Sequence, residues 1–174
     1  STPSSAAFGA VVERAVTASP RFSAKEGEAV VTQTVEGRYL VILGLGAEAG
    51  MDSPRAQRLG GQVFAAAKGL GVTRLAIQLD LPPILAAHLA FGLRLRSWQS
   101  PPTLRRRSTQ EEAATLVGAV VIADGADWPP LQALAESVGM ARDLAVLPGN
   151  VLGPDAFELH ARALTTLGCD VEVL

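Results

Sequence analysis

Apolar residues recur at helical spacing in five segments of the chain and gather into short β-branched runs between them. Spacings of three and four residues place side chains on one helix face, whereas continuous or alternating apolar runs favour strands. The predicted helices are 6–18, one that begins at Ser53-Pro54 and ends at Gly69 or Gly71, one from Pro82-Pro83 to about Trp98, 129–146 and 155–167. The predicted strands are a hairpin over 28–43, then 73–79 and 113–123.

The order of these elements, with strands alternating with helices, predicts an α/β fold with a mainly parallel or mixed sheet. The run Tyr39–Leu43 is continuously apolar, which indicates a strand buried on both faces and hence helices on both sides of the sheet. We therefore expect residues 28–123 to form one such sheet.

Local signals mark the bounds of several elements. Glu36-Gly37 predicts a two-residue turn in the hairpin. Ser53 as the N-cap and Pro54 at the first helical position begin the next helix. The pair Gly60-Gly61 inside that helix costs roughly 1 kcal/mol per glycine relative to alanine. A pair of glycines at such a cost indicates close backbone packing against a neighbour.

The last part of the chain has a different pattern. Residues 148–154, PGNVLGP, form a short punctuated linker, and the helix 155–167 follows with Gly168 as its C-cap. The final residues, CDVEVL, have the pattern of a strand that begins. A strand with nothing after it belongs to a sheet that continues elsewhere.

Composition limits the class of protein. The 174 residues are 48% hydrophobic and 18% charged, which suits one domain or one domain with a fragment of a second. The formal net charge is −2 and the basic run Arg105–Arg107 is short, which argues against a dedicated nucleic-acid or membrane binder.

Cys169 is the single cysteine, so no intrachain disulfide is possible. With no signal peptide and no apolar run of about 20 residues, a cytoplasmic location is the default expectation.

The glycine-rich loop Gly44–Gly50 contains the segment Gly44–Ala49, which matches the loose dinucleotide-binding pattern G-x-G-x-x-G/A after a strand. A dinucleotide site needs the helix to begin within the motif, so that its N-terminal amides meet the pyrophosphate. Here the helix is expected only from Ser53-Pro54, and the next acid after Asp52 is Asp80. These residues favour a strand-to-helix turn that uses glycine for positive φ.

The remaining candidate residues favour structural roles. His88 lies among alanines and leucines and suits a partly buried position, while His160 is expected at the surface. Asp124 and Asp127 flank a glycine before a helix, where turn and cap roles are typical, and Cys169 has no basic neighbour to activate it. From the residues alone we assign no catalytic residue, no cofactor-binding residue and no metal ligand.

A resemblance adds to this interpretation. The chain from Ala141 to Pro154 resembles the domain junction of the leucine aminopeptidase (cytosol aminopeptidase) family. The matching residues are Ala141, Arg142, Asp143, Leu144, Pro148, Asn150, Leu152 and Pro154, followed by Val171, Glu172, Val173 and Leu174. Supporting segments upstream are Arg21–Glu28, Tyr39–Gly46, Leu59–Gly61 and Gly92–Trp98. The resemblance covers about residues 21–174.

The chain departs from the family pattern at three places. Val146 stands where the family has asparagine, and Arg94–Trp98 lacks the usual tyrosine and aspartate. The family also begins with a strand before the first helix, whereas this chain begins almost at the helix. These departures indicate a divergent member.

The resemblance implies a macro-domain-like mixed sheet with helices on both faces, then a connecting helix. The implied domains are 1–128 as the N-terminal macro-like domain, 129–147 as the interdomain helix and 148–174 as the beginning of a truncated catalytic domain. The whole enzyme would be a cytosolic homohexamer that removes N-terminal amino acids from peptides with two divalent metal ions, zinc or manganese, held by Lys, Asp and Glu ligands. Those ligands would lie beyond Leu174, so this chain alone would be an inactive assembly or regulatory domain.

Two other functions remain open at this point. A free-standing macro-like module could bind a nucleotide or ADP-ribose through Gly44–Gly50. A DNA-binding role is known for some members of the family, but the net charge and the short basic run argue against it here.

Overall fold

The computed structural model describes residues 5–34, 36–47, 50–78, 81–100, 118–122 and 128–173. Its elements are α1 Ser5–Thr17, β1 Ala29–Gln33, β2 Tyr39–Leu43, α2 Ser53–Gly69, β3 Arg74–Gln78, α3 Pro83–Ser97, β4 Gly118–Ile122, α4 Trp128–Val146, α5 Pro154–Ala163 and a 3-10 helix, η1, Leu164–Leu167. Small sheets thus combine with helices, which confirms the predicted α/β class. No described helix is both long and apolar enough to cross a membrane.

The helices begin and end close to where the sequence predicts them. The N-terminus of α2 differs by one residue, because its N-cap is Asp52 and not Ser53. Asp52 Oδ1 accepts a hydrogen bond from the Arg55 backbone N–H at 2.9 Å. A carboxylate is a strong N-cap, and its charge also complements the positive end of the helix dipole.

The hairpin of β1 and β2 is antiparallel, with register from Ala29 opposite Leu43 to Gln33 opposite Tyr39. Five residues, 34–38, therefore connect the strands, so the predicted two-residue turn is wrong. The Gly37 N–H donates to the Thr34 carbonyl at 2.9 Å, and Gly37 has φ 75°. The glycine supplies a left-handed conformation that other residues adopt at a cost.

The described strands do not form the one sheet that the sequence predicts. β3 and β4 are parallel, with Arg74 opposite Gly118. The described strands nevertheless form two separate two-stranded sheets and not one continuous sheet. The prediction that Tyr39–Leu43 is buried on both faces is also wrong, because Tyr39 is 47% exposed and the other four residues are half-buried. Each described strand has a single hydrogen-bonded neighbour, and such edge strands are less covered than central ones.

One hydrophobic core joins both sheets to the helix pair of α2 and α3. Its buried members are Ala56, Leu59, Val63 and Phe64 from α2, Ile77 from β3, and Leu89 and Leu93 from α3. Leu43 of β2, Leu75 of β3 and Val121 of β4 pack against this cluster. Apolar residues of both sheets are thereby removed from water at the same place, which drives their association with the helices.

Helices α2 and α3 cross at two glycines. A Cβ on Gly60 would lie 2.0 Å from the Leu89 carbonyl oxygen, and one on Gly92 would lie 1.9 Å from that of Gln57. Only glycine permits backbones to approach this closely. Gly61 is different, because a Cβ there would lie 3.9 Å from Arg96 Cβ. The predicted close packing is therefore confirmed for Gly60 and wrong for Gly61.

The last segment packs little against the rest. α5 continues into η1, and Gly168 caps the turn with φ 86°, as predicted. Neither α5 nor η1 contains a buried residue. Residues 169–173 are not in a strand, so the predicted strand is wrong for this structure. A strand requires a ladder partner, and the described residues provide none here.

Candidate functional site

Helix α4 is attached to the end of α3 by two long-range hydrogen bonds, which we call the junction latch. Arg142 Nη1 donates to the Leu95 carbonyl at 2.7 Å, and Trp98 Nε1 donates to Asp143 Oδ1 at 2.9 Å. The Arg142 guanidinium also lies 5.7 Å from the centre of the Trp98 ring, within the range of a cation–π contact. The two central residues of the Ala141–Leu144 motif thus fix the direction of α4.

Beside the latch lies an open groove of about 850 Å³ between α2, α3 and α4, which we call the arginine groove. Its lining residues are Pro54, Gln57, Arg58, Gly61, Gly92, Leu95, Arg96, Trp98, Arg142, Ala145 and Val146. Each of the three helices contributes one arginine. The small and apolar lining residues, which we call the floor of the groove, are Gly61, Gly92, Leu95, Ala145 and Val146. The groove therefore combines this floor with positive charge.

The glycine-rich loop is organised around one arginine. Arg55 Nε donates to Glu26 Oε2 at 2.9 Å, while Nη1 and Nη2 donate to the carbonyls of Ala47 at 3.0 Å and Leu45 at 2.6 Å. The Arg55 side chain is only 13% exposed. Charge-assisted hydrogen bonds at a site so poorly solvated are among the stronger ones in proteins. The loop is thus held by the Arg55 side chain, which also binds Glu26 in the segment 25–28.

Two glycines of this loop are needed for packing. A Cβ on Gly44 would lie 2.2 Å from the Lys25 carbonyl oxygen, and one on Gly46, which has φ 67°, would lie 2.7 Å from Arg55 Nη2. Helix α2 begins only at Ser53, so its N-terminal amides do not face this loop's glycines in the manner of a dinucleotide site. The nucleotide alternative is not favoured by this geometry.

Glu28 ties the neighbouring turn together. Its Oε2 accepts from the backbone N–H of Ser23 at 2.7 Å and of Lys25 at 3.2 Å. The Ser23 hydroxyl donates to both carboxylate oxygens, at 3.1 and 3.2 Å. The Ser23 backbone N–H, as the main cause, lowers the pKa of Glu28 below its usual value, because these donors stabilise the charged form.

The other candidate residues that the structure describes, His88, His160 and Cys169, form no common metal-binding group. His88 is half-buried between α2 and α3, where its Nδ1 accepts from the Gln57 amide at 3.0 Å, as its structural interpretation predicts. His160 on α5 and Cys169 are exposed. Asp124, Asp127 and Arg105–Arg107 lie outside the described residues.

Among the residues that the structure describes, no group of three or more His, Cys, Asp or Glu side chains is arranged to hold a metal ion. The described residues thus do not fit the two-metal centre that the resemblance implies for the whole enzyme. That this chain contains no catalytic, cofactor-binding or metal-binding residue stays a prediction.

Sequence reasoning missed the arginine groove. Arg58, Arg96 and Arg142 are far apart in the sequence, and each follows the ordinary pattern of a charged residue on a helix surface. The junction resemblance did identify Arg142 and Asp143, but without a structural role. Their partner Trp98 lies 45 residues from Asp143, and no local pattern relates the two.

Comparison with known proteins gives the family. A model of the N-terminal domain of the cytosol aminopeptidase family matches residues 5–101, which is more than half of the chain. The chain belongs to the cytosol aminopeptidase family. The junction resemblance and the α/β prediction agree with this membership.

Relatives with the name probable cytosol aminopeptidase cover nearly all of the chain. The protein of Caulobacter vibrioides is 27% identical over 175 residues, covering 97% of this chain and 35% of the relative. That of Rhizobium etli is 34% identical over 168 residues, covering 88% of this chain and 34% of the relative. The chain therefore spans about a third of the length of these family members.

A solved structure supports the fold. A mutant of tomato leucine aminopeptidase superposes on 93% of this chain and 34% of its own chain, with a TM-score of 0.66 and 22% sequence identity. The family member described here thus has the fold of the corresponding third of that protein.

Proposed function

We propose that this chain is the non-catalytic N-terminal part of a cytosolic leucyl aminopeptidase, with a role in assembly and regulation of the enzyme. One observation carries the proposal: the N-terminal domain model matches residues 5–101, while the chain spans about a third of its relatives. Removal of N-terminal amino acids from peptides would then depend on the other two thirds. The relatives' name, cytosol aminopeptidase, supports the cytoplasmic location and the peptide substrates of the parent.

The metal ions expected for the parent, two of zinc or manganese, are proposed to bind outside this chain. The described residues provide no suitable donor group for them, so we assign no step of the hydrolysis to these side chains. Equilibrium dialysis against manganese or zinc tests this point. We expect the chain to retain no more metal than a metal-free control protein, and the whole gene product to retain about two ions per subunit. Stoichiometric binding by the chain alone would contradict the proposal.

We also propose the domain division 1–128, 129–147 and 148–174, in which the last segment belongs to the catalytic domain. The junction latch supports it, since it holds α4 on α3. α5 and η1 support it as well, because Phe157 is 55%, Leu159 71% and Leu167 79% exposed. Apolar side chains this exposed in one short segment are typical of an interface surface.

We propose that, in the isolated 174-residue chain, this segment pairs with a second copy, and that the parent is a homohexamer. Light scattering before and after removal of residues 148–174 tests the role of the segment. We expect an oligomer that dissociates on truncation. A monomer in both cases would contradict the pairing.

The alternative, a free-standing module for a nucleotide or ADP-ribose, has a separate test. Isothermal titration of the chain with ADP-ribose should give no binding heat, because Arg55 and the Lys25 carbonyl occupy the space around Gly44 and Gly46. Saturable binding that Arg55→Ala abolishes would favour the alternative.

A further inference from the structure

The arginine groove carries positive charge that the described residues leave largely unpaired. Arg58 has a 60% exposed side chain, and its one carboxylate neighbour, Glu26 at 3.6 Å, is shared with Arg55. Arg96 is exposed and forms no ion pair within the described part of the chain. Asp143 is already engaged by the Trp98 N–H. The guanidinium groups of Arg58 and Arg96, which we call the rim of the groove, are therefore available to a carboxylate or phosphate.

The floor of the groove has a different character. Gly61, Leu95, Ala145 and Val146 contribute backbone and aliphatic surface, and Val146 is 39% exposed. The small residues leave room above the backbone, and the half-buried Trp98 also lines the groove. An occupant must accordingly offer apolar groups to the floor as well as negative charge to the rim.

The shape decides between kinds of occupant. Sites for small molecules bury most of their ligand, whereas this groove is largely open to solvent. Nucleic-acid sites depend on many basic contacts, but the chain has a net charge of −2 and the groove only three arginines. Tryptophan and arginine beside an apolar floor are the residues enriched at the centre of protein–protein interfaces.

We infer that the arginine groove binds an extended acidic polypeptide segment in which apolar residues alternate with carboxylates. Side chains of an extended segment alternate between two faces. The apolar face would rest on Gly61, Leu95 and Ala145, and the carboxylates would reach Arg58 and Arg96 at the rim. This inference does not depend on the proposed function, because it concerns a surface formed entirely by α2, α3 and α4.

The test uses the full 174-residue chain with Trp128→Phe, so that Trp98 is the remaining tryptophan reporter. The probe is a short capped peptide of alternating valine and glutamate, and a valine–lysine peptide is its control. We expect the valine–glutamate peptide to change the fluorescence emission of Trp98 in a saturable way, and the valine–lysine peptide to leave it unchanged. Arg96→Glu should weaken binding about tenfold or more. Arg94→Glu should leave it within about twofold, since Arg94 lies on the same helix but does not line the groove.

Charge-neutral variants and two other anionic probes complete the experiment. Arg58→Gln and Arg96→Gln should each weaken binding without inserting a negative charge, and circular dichroism should verify that every variant is folded. Absence of saturable binding by the glutamate peptide would overturn the inference. Equal loss in the Arg94 and Arg96 variants would overturn the groove as the site. Tighter binding of inorganic phosphate or a short DNA duplex than of the peptide would overturn the polypeptide as occupant.

Discussion

Gly60 is one of the two glycines at which helices α2 and α3 cross closely. Gly60→Ala would place a methyl group 2.0 Å from the Leu89 carbonyl oxygen, so α2 and α3 would have to separate. Overpacking of this kind costs about 1–3 kcal/mol, and the better helix propensity of alanine returns roughly 1 kcal/mol at most. We therefore expect urea denaturation to give a lower free energy of unfolding.

Gly61 provides the matched control on the same helix. Gly61→Ala adds its methyl group at ordinary contact distance, 3.9 Å from Arg96 Cβ. We expect it to stabilise the protein by about 0.5–1 kcal/mol, because alanine is the better helix former. The same sign of change for both variants would contradict the proposed difference between the two glycines.

Glu28 gives the protein a pH-dependent contribution to stability. The Ser23 backbone N–H, above all, lowers its pKa in the folded state below the usual 4.5. A lowered carboxylate pKa stabilises the fold above the unfolded-state value, and the gain is lost as pH falls through the folded-state value. The difference in unfolding free energy between the unmodified chain and Glu28→Gln should therefore be largest near neutral pH and shrink below about pH 4.5.

The control for this pH series is Glu36→Gln, which removes an exposed carboxylate whose partner is Arg38 at 3.5 Å. It makes the same change in net charge at a carboxylate that, among the described residues, accepts no backbone N–H hydrogen bond. A Glu28→Gln difference that stays constant from pH 7 to pH 3 would argue against the role of these hydrogen bonds.

At the scale of elements, the junction latch determines how firmly α4 is held. Asp143→Ala removes the acceptor of the Trp98 N–H. Loss of such a hydrogen bond costs about 1 kcal/mol, so amide hydrogen exchange near the C-terminal end of α4 should become faster. Glu136→Ala on the same helix is the control, because Glu136 accepts only from Gln132 in the described contacts. Equal protection of α4 in both variants would argue against the latch.

The helices were the elements best predicted from the sequence. Paired prolines at Pro82-Pro83 and Pro129-Pro130, together with Gly168, are local signals that act within a few residues. The N-cap of α2 was missed by one residue because both Asp52 and Ser53 are suitable caps. The hairpin pairing was predicted correctly, whereas its loop length depends on a turn conformation at Thr34–Gly37 that residue preferences do not fix.

At the scale of the whole molecule, long-range contacts limited what the sequence could predict. The apolar run Tyr39–Leu43 identifies a strand, but not how many neighbours that strand has, and the described strands pair only two by two. The arginine groove depends on Arg58, Arg96 and Arg142 coming from three helices. The family, by contrast, was predicted from one continuous stretch, Ala141–Pro154, and the comparisons confirm it.

We expect this chain to have no peptidase activity by itself. The most direct measurement is hydrolysis of a leucine chromogenic amide by the purified chain, with manganese or zinc added and a protein-free control beside it. We expect no turnover above that control, because the described residues offer no metal-binding group, while the whole gene product should hydrolyse the amide. Turnover that increases in proportion to the concentration of the 174-residue chain would contradict the claim.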